Sequence, residues 1–544
     1  MKKAFETLFP FTFALLLLCS FPAPAQQGFG EVAFSNSGPA AAQADFLIGL
    51  AQLHDFEYED AAEHFQKAQK LAPDFALAYW GEAMTQNHPV WHEEDVAAAR
   101  EILKRLGPTS EARIAKAPTE REKLYLQSVE VLFGDGAKEE RDRRHEAVLA
   151  ELHRKFPDDV DASAFYALAI LGTAEQGRDF ATYMRAAAVL EEVFPQHPHH
   201  PGVVHYLIHC YDDPVHAPLG LRAARIYSKI APEAGHAQHM TSHIFLSLGM
   251  WDEEVAANET AMGIVNRLRQ KEGRPPGMCG HYNEWLEYGY LQQGRVEDAR
   301  RILAGCRQQA EQAAAALADP KNPAHDRMSG GMMNGMSPAM MLVSSYTGMR
   351  THFLVSTQRW NDDVASWKLP AGDFPFPELD FEYADTFVAI GRGDHAAARA
   401  GLSRSESTAP RVKAWIDQLK MNMPSMTETV DITVDQIRAA LMAAEGKPED
   451  AVKELQRIAA REHAMPLEFG PPNIEKPSDE LLGEVLLQLH RPAEAREAFQ
   501  TALARTPGRK LVVEALARTD KEIAAAAATK VGTAPSAQAS PHNH

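Results

Sequence analysis

One spacing recurs along this chain and constrains its fold more than any other feature. Ala61, Phe65, Ala68 and Pro73 stand at offsets 0, +4, +7 and +12. The first three fall on one helical face as small, large, small, and the proline stops the helix. The same offsets return at Ala495, Phe499, Ala502 and Pro507, and more loosely at Ala186, Leu190, Val193, Pro198 and at Gly220, Ala224, Tyr227, Pro232. His145, Leu149, Leu152 and Pro157 fit with a poor first residue. Ala299, Leu303, Cys306 and Ala451, Leu455, Ile458 fit without the proline. Each such helix follows another amphipathic segment across a short polar turn. A unit of two helices cannot bury its own apolar face, so units must stack on one another.

These offsets resemble the second helix of a tetratricopeptide repeat, and the resemblance covers roughly two thirds of the chain. It implies an all-α fold, a tetratricopeptide-type helical-repeat superhelix or α-solenoid. It also implies that the first helix of each pair lines a concave groove. The stretches HYLIH (205–209), HMTSHIF (239–245) and FGPP (469–472) resemble a group of exported bacterial tetratricopeptide proteins, and that resemblance brings no activity with it.

Composition agrees with helix. Ala, Leu, Glu, Arg and Gln recur, and long β-branched runs are scarce. At 544 residues the chain exceeds one ordinary core. Lys2 and Lys3, the apolar run from Leu8 to Cys19, and Ala23-Pro24-Ala25 read as a secretory signal ending before Gln26. The expected location is periplasmic or secreted. Losing Lys2, Lys3 and Glu6 takes the formal charge from −19 to −20 (−19 − 2 + 1). That balance argues against nucleic acid or anionic lipid as partner, and no later segment is apolar enough to span a bilayer. Three cysteines remain, Cys210, Cys279 and Cys306, enough for one disulfide and a free thiol.

The expected organisation is a signal peptide at 1–25, a linker at 26–40 and a helical-repeat array at 41–317. A Met/Gly-rich linker or flap follows at 318–345. C-terminal repeats with a Pro-rich loop at 463–479 occupy 346–521, and a disordered tail closes the chain at 522–544. The Pro471-Pro472 pair stiffens the loop, and Phe469 offers an apolar anchor over the groove; the alternative is an ordinary exposed linker.

The histidines carry the functional signal. His205 and His209 are four apart, as are His239 and His243, so each pair shares a helix face. The pairs are offset by 34 residues, one tetratricopeptide period. With 23 histidines in the chain, four in this pattern are expected roughly 0.002 times by chance. Aligned on Gly220, His205 and His209 take repeat positions that face the groove in the resembled family. His281 and Glu284, aligned on Ala299, take groove positions on the next first helix. His205, His209, His239, His243, His281 and Glu284 are therefore the candidate ligands of a transition metal, Zn, Cu or Fe. Asp212 and Asp213 are candidates to orient imidazoles, and Cys210 and Cys279 are candidate thiolates. The alternative is that these histidines are groove-lining hydrogen-bond partners or satisfied core residues.

Other residues read less sharply. His88 could point inward, whereas His197, His199 and His200 read as surface residues in a Pro-rich turn. Met328, Met332, Met333, Met336, Met340 and Met341 could hold Cu(I) or form an apolar flap. No P-loop, dinucleotide fingerprint, nucleophile elbow or HExxH is present. Two functions are consistent with this reading. One is a metal-bearing groove, catalytic as a hydrolase or oxidoreductase in one version. The other is a non-enzymatic scaffold that binds a peptide or protein partner in the groove.

Overall fold

The computed structural model describes residues 28–174, 177–319, 321–322, 336–370, 374–418 and 424–532. The segment read above as a signal, Met328, Met332, Met333 and residues 533–544 lie outside the described residues. Among these residues the chain forms 23 α-helices, with one two-residue strand pair, Asn87–His88 against Glu93–Glu94. Successive helices pack on one another as helix pairs from end to end, the all-α helical-repeat solenoid that the spacing predicts. No described helix is long and apolar enough to cross a membrane.

The spacing residues do what their sizes dictate. Ala61, Phe65 and Ala68 on the helix Tyr58–Leu71 are fully buried, as are Ala495 and Phe499 on Pro492–Arg505. Phe65 fills the space over Gly81, where any Cβ would collide with its ring. Small residues thus set how closely the helices approach, and large ones fill what remains.

The solenoid is not an open spiral. The first helix, Ala40–His54, packs against Pro201–Tyr211. Tyr227 donates to Asp55 at 2.8 Å, and the Glu233 N–H to the Gly28 carbonyl at 2.9 Å. The last helix, Lys510–Gly532, reaches back to His281–Gln293. There Trp251 Nε1 donates to the Gly508 carbonyl (2.9 Å), Lys510 N to Gln292 (2.9 Å) and Arg509 to the Tyr288 hydroxyl (3.1 Å). Each end of the chain closes on the middle, the first on residues 201–233 and the last on residues 251–293.

Two boundaries differ from expectation. The helix Pro338–Thr357 begins inside the stretch read as a Met/Gly linker, with Ser337 capping it through Met340 N. Met340 is buried beside Leu317, Val343 and Phe374, so it packs as a core side chain. The last helix continues through Gly532, past the expected start of the tail at 522. Its run of alanines keeps the helix going where low complexity suggested a stop.

Burial also tunes single groups far from the groove. His145 sits in the core of Lys138–Lys155, its Nδ1–H donating to the Ser128 carbonyl at 2.9 Å. Burial lowers its pKa from 6.5 to about 4. A histidine depressed in the fold contributes stability that is full above pH 6.5 and is lost as pH falls toward 4. The loss is about 3 kcal/mol. Asparagine can keep the donor without titrating. The stability gap between wild type and His145→Asn should therefore narrow by about that amount from pH 7 to 4 in urea titrations. A pH-independent gap would contradict the assignment.

Candidate metal centre

Three successive first helices carry the histidines. His205 and His209 lie on Pro201–Tyr211, His239 and His243 on Gly235–Ser247, and His281 opens His281–Gln293. Their rings gather at the junction of the two closures. Ring centroids are 4.8 Å apart for His205–His209, 4.9 Å for His239–His243, 4.6 Å for His239–His281 and 6.2 Å for His209–His243. Donor atoms of His205, His209 and His236 lie within 4.8 Å of one another, and so do those of His239, His243 and His281. Donors on one ion at about 2.1 Å stand at most about 4.2 Å apart, so either trio needs only a small contraction to share one.

Hydrogen bonds set the Nδ1 partners of two rings of the second trio, His239 and His243. Asn258 uses its Nδ2 on Glu254 Oε1 (2.7 Å) and the Glu254 carbonyl (3.2 Å), which leaves its Oδ1 to accept from His239 Nδ1–H at 2.6 Å. His243 Nδ1–H donates to Asp212 Oδ2 at 2.5 Å. The remaining Nε2 atoms of the two rings face each other at 3.1 Å, each a bare lone pair when its ring carries the Nδ1 proton alone. Two facing lone pairs repel unless a cation, a proton or a metal ion, lies between them. A carboxylate behind one imidazole and an amide oxygen behind another is also how metal-bound histidines are commonly held.

The first trio is less constrained. His205 Nδ1–H donates to the His54 carbonyl at 2.6 Å, so its Nε2 is bare and faces His209 Nε2 at 3.1 Å. An Nε2–H on His209 would satisfy that pair. His236 hydrogen-bonds through Nδ1 to the Tyr282 hydroxyl at 3.2 Å, while its buried Nε2 has no partner. Burial, reinforced by the neighbouring histidines, holds the pKa values of His205, His209, His236 and His239 well below the ordinary value. His281 is open to water at its own surface, but the surrounding wall lowers it to about 3. These rings are neutral at pH 7, the form that ligates.

Aromatic side chains wall the centre. Phe56 lies 4.4 Å from His205 and 5.6 Å from His236, and its φ of 58° is unusual for a residue with a Cβ. Trp285 lies 4.2 Å from His243. Phe469, from the non-helical segment 465–477, lies 5.6 Å from the same ring. The Pro-rich loop thus reaches the groove through the anchor the sequence suggested.

Several sequence expectations are corrected by the geometry. The four paired histidines are buried, not exposed on an open concave face: His54 and Phe56 close over His205, and Tyr282, Trp285 and Phe469 over His239 and His243. Glu284 does not join His281: its carboxyl bonds Ser345 and faces His352 and Glu475. Cys279 is bonded to Cys306 and offers no thiolate. Cys210 is buried outside both trios, with burial pushing its thiol far up. Asp212 orients His243, whereas Asp213 binds Arg178 (2.8 Å) and His216 (2.9 Å). His88 stacks on Tyr58 at 4.0 Å and enters neither trio.

His236 was missed, though it precedes His239 by three residues as His281 precedes Glu284. His200 is buried, not a surface residue. Its Nδ1 accepts from Val203 N (3.4 Å), and its Nε2–H donates to Asp161 Oδ1 (3.2 Å). His54 Nε2–H donates to the same oxygen at 3.0 Å, and His54 Nδ1 accepts from Tyr206 at 3.0 Å. Burial pushes Asp161 up, but His200 and His54 outweigh it and hold the carboxyl well below its usual range. This third cluster has its hydrogen bonds filled, so it reads as a fastener between the first helix and Pro201–Tyr211.

No family model and no curated protein matches the chain. Among solved structures it is similar to the APC/C hetero-tetramer Cut9-Hcn1, with 10% identity, 89% of this chain and 78% of that chain covered, and a TM-score of 0.34. It is also similar to yeast Tom70, with 12% identity, 91% and 99% covered, and a TM-score of 0.34. A third is Naa15/Naa10 bound to HypK-THB, with 13% identity, 91% and 82% covered, and a TM-score of 0.26. These likenesses are too distant to bring a function to this chain.

Proposed function

We propose that this chain is an exported helical-repeat protein whose six histidines, His205, His209, His236, His239, His243 and His281, form a transition-metal centre in two three-histidine halves. The observation that carries the reading is the pair of facing Nε2 atoms of His239 and His243, whose protons are committed to Asn258 and Asp212. Neutral imidazole suits Zn, Cu or Fe, and three histidines leave a coordination position open for water or substrate. Export is supported by the N-terminal segment's composition and by the Cys279–Cys306 disulfide, a bond at home in oxidising compartments. The test is elemental analysis of the untagged mature protein, followed by melting with Zn, Cu, Fe and Mn. No metal and no shift with any of them would sink the proposal.

Asp212 gives a finer test. Its Oδ2 accepts from His243 and its Oδ1 from Ser247 at 3.3 Å. Asp212→Asn removes the charge behind the ligand and should weaken metal affinity about 10–100-fold in chelator competition. Unchanged affinity would place the ion away from His243.

The second reading, a groove for a peptide or protein partner, draws support from the aromatic wall of Phe56, Trp91, Tyr282, Trp285 and Phe469 around the histidines. The two readings are compatible, because a metal can sit at the floor of a ligand groove.

A further inference from the structure

Along the same helix, Glu284 one turn beyond His281 and Glu287 nearly two turns beyond it face a second cluster of polar side chains. Glu284 is about 4.5 Å farther along the axis at 1.5 Å per residue. Three other elements face these carboxyls. The helix Pro338–Thr357 supplies His352 and Thr347, Pro375–Gly391 supplies Asp380, and the loop supplies Glu475. His352 Nδ1 lies 2.7 Å from Glu475 Oε2, and Thr347 donates to Asp380 Oδ2 at 2.9 Å. Glu287 is 0% exposed, and neither of its carboxylate oxygens has a hydrogen-bond partner. Its electrostatic neighbours are Glu475 and Glu284, so it looks into the same pocket.

A buried carboxyl with two empty acceptors is costly unless something fills them. The nearby cations are engaged elsewhere. Arg509 binds Glu480, the Tyr288 hydroxyl and the Glu475 carbonyl oxygen, and Lys476 binds Glu480 and Glu484. Arg350 binds Asp385 and the Val364 and Ala365 carbonyls, with its Nη1 unpartnered. Four carboxyls therefore share one histidine. Among the described residues, no three of these groups bring donor atoms within 4.8 Å of one another. That spacing is too wide for the bare shell of a metal ion and suits a larger cation with several N–H donors.

We infer that the pocket of Glu284, Glu287, Asp380 and Glu475 binds an organic cation, the ammonium or guanidinium group of a basic side chain, on a peptide lying in the groove beside the histidines. This rests on the groove being a ligand site and not on a metal being bound.

The test is calorimetry on the full mature chain, metal-free and metal-loaded, with acetyl-Gly-Lys-Gly-amide, its arginine and norleucine analogues, and calcium chloride. The expected result is binding of the lysine or arginine peptide at least tenfold tighter than norleucine. Glu287→Gln should weaken that binding at least tenfold with metal content unchanged. Gln is nearly isosteric with Glu and removes a buried carboxyl that burial pushes toward its neutral form, so Glu287→Gln should fold. The half-buried Asp380→Asn gives the same readout from another helix. Equal binding of norleucine, no binding of either basic peptide, or calcium binding that depends on Glu287 would each overturn the inference. Loss of metal in the wild type with basic-peptide binding retained would sink the metal centre and leave this pocket standing.

Discussion

The variant His209→Ala/His243→Ala should lose all bound transition metal, because it removes one ligand from each three-histidine half. Wild type saturated to about 1,000 times Kd should gain about 4 kcal/mol over its metal-free form, and the variant should gain nothing. The metal-free baselines must be measured separately. His209 and His243 are buried, so truncation leaves cavities and unpaired partners, above all Asp212. That cost is independent of metal and belongs to the apo comparison. Helix content should be unchanged in far-UV circular dichroism, since both residues sit inside helices held by many other contacts. Full metal uptake by the double variant would move the site elsewhere.

A second large effect is expected from the disulfide. Cys279 and Cys306 are separated by 27 residues in sequence, and closing a loop of that length stabilises by about 3.5 kcal/mol in the chain-entropy account. Cys279→Ser/Cys306→Ser should lose about that much in urea titrations, and reductant should then have no further effect. Cys279 lies two residues before His281, with Gly280 at φ 93° between them. The bond therefore fixes where the helix of His281, the proposed third ligand of one half, begins. The variant should hold metal more weakly at His239, His243 and His281 while the His205, His209 and His236 half is unaffected. A stability loss below about 1 kcal/mol would mean that packing alone holds this corner.

The sequence made the helix pairs legible because each second helix carries its size pattern within a dozen residues, a local signal. The two histidine pairs were legible for a related reason: a spacing of four fixes the face, and a period of 34 fixes the neighbour. What lay beyond reach depended on closure. His54, Asp161 and His200 meet only because the first helix returns to Pro201–Tyr211, across separations of 107 and 39 residues. Glu284 was misplaced because a spacing of three from His281 gives a direction to within a fraction of a turn, and the choice between His239 and Ser345 depends on the neighbouring helices. Burial was misjudged for the same cause. A groove position is wet in an open spiral and buried where aromatic side chains such as Phe56 and Trp285 pack over it.

That double closure has a consequence for how the molecule is made. An open array grows or shrinks by whole units, and its folding can nucleate anywhere and spread between nearest neighbours. Here Asp55 must find Tyr227 across 172 residues, and Gly508 must find Trp251 across 257. Such distant pairings are reached late and lower the folding rate. The terminal helices are therefore keystones: removing Ala40–His54 or Lys510–Gly532 would unlatch a whole half, and stability should fall in one step with either deletion, not in proportion to the residues removed.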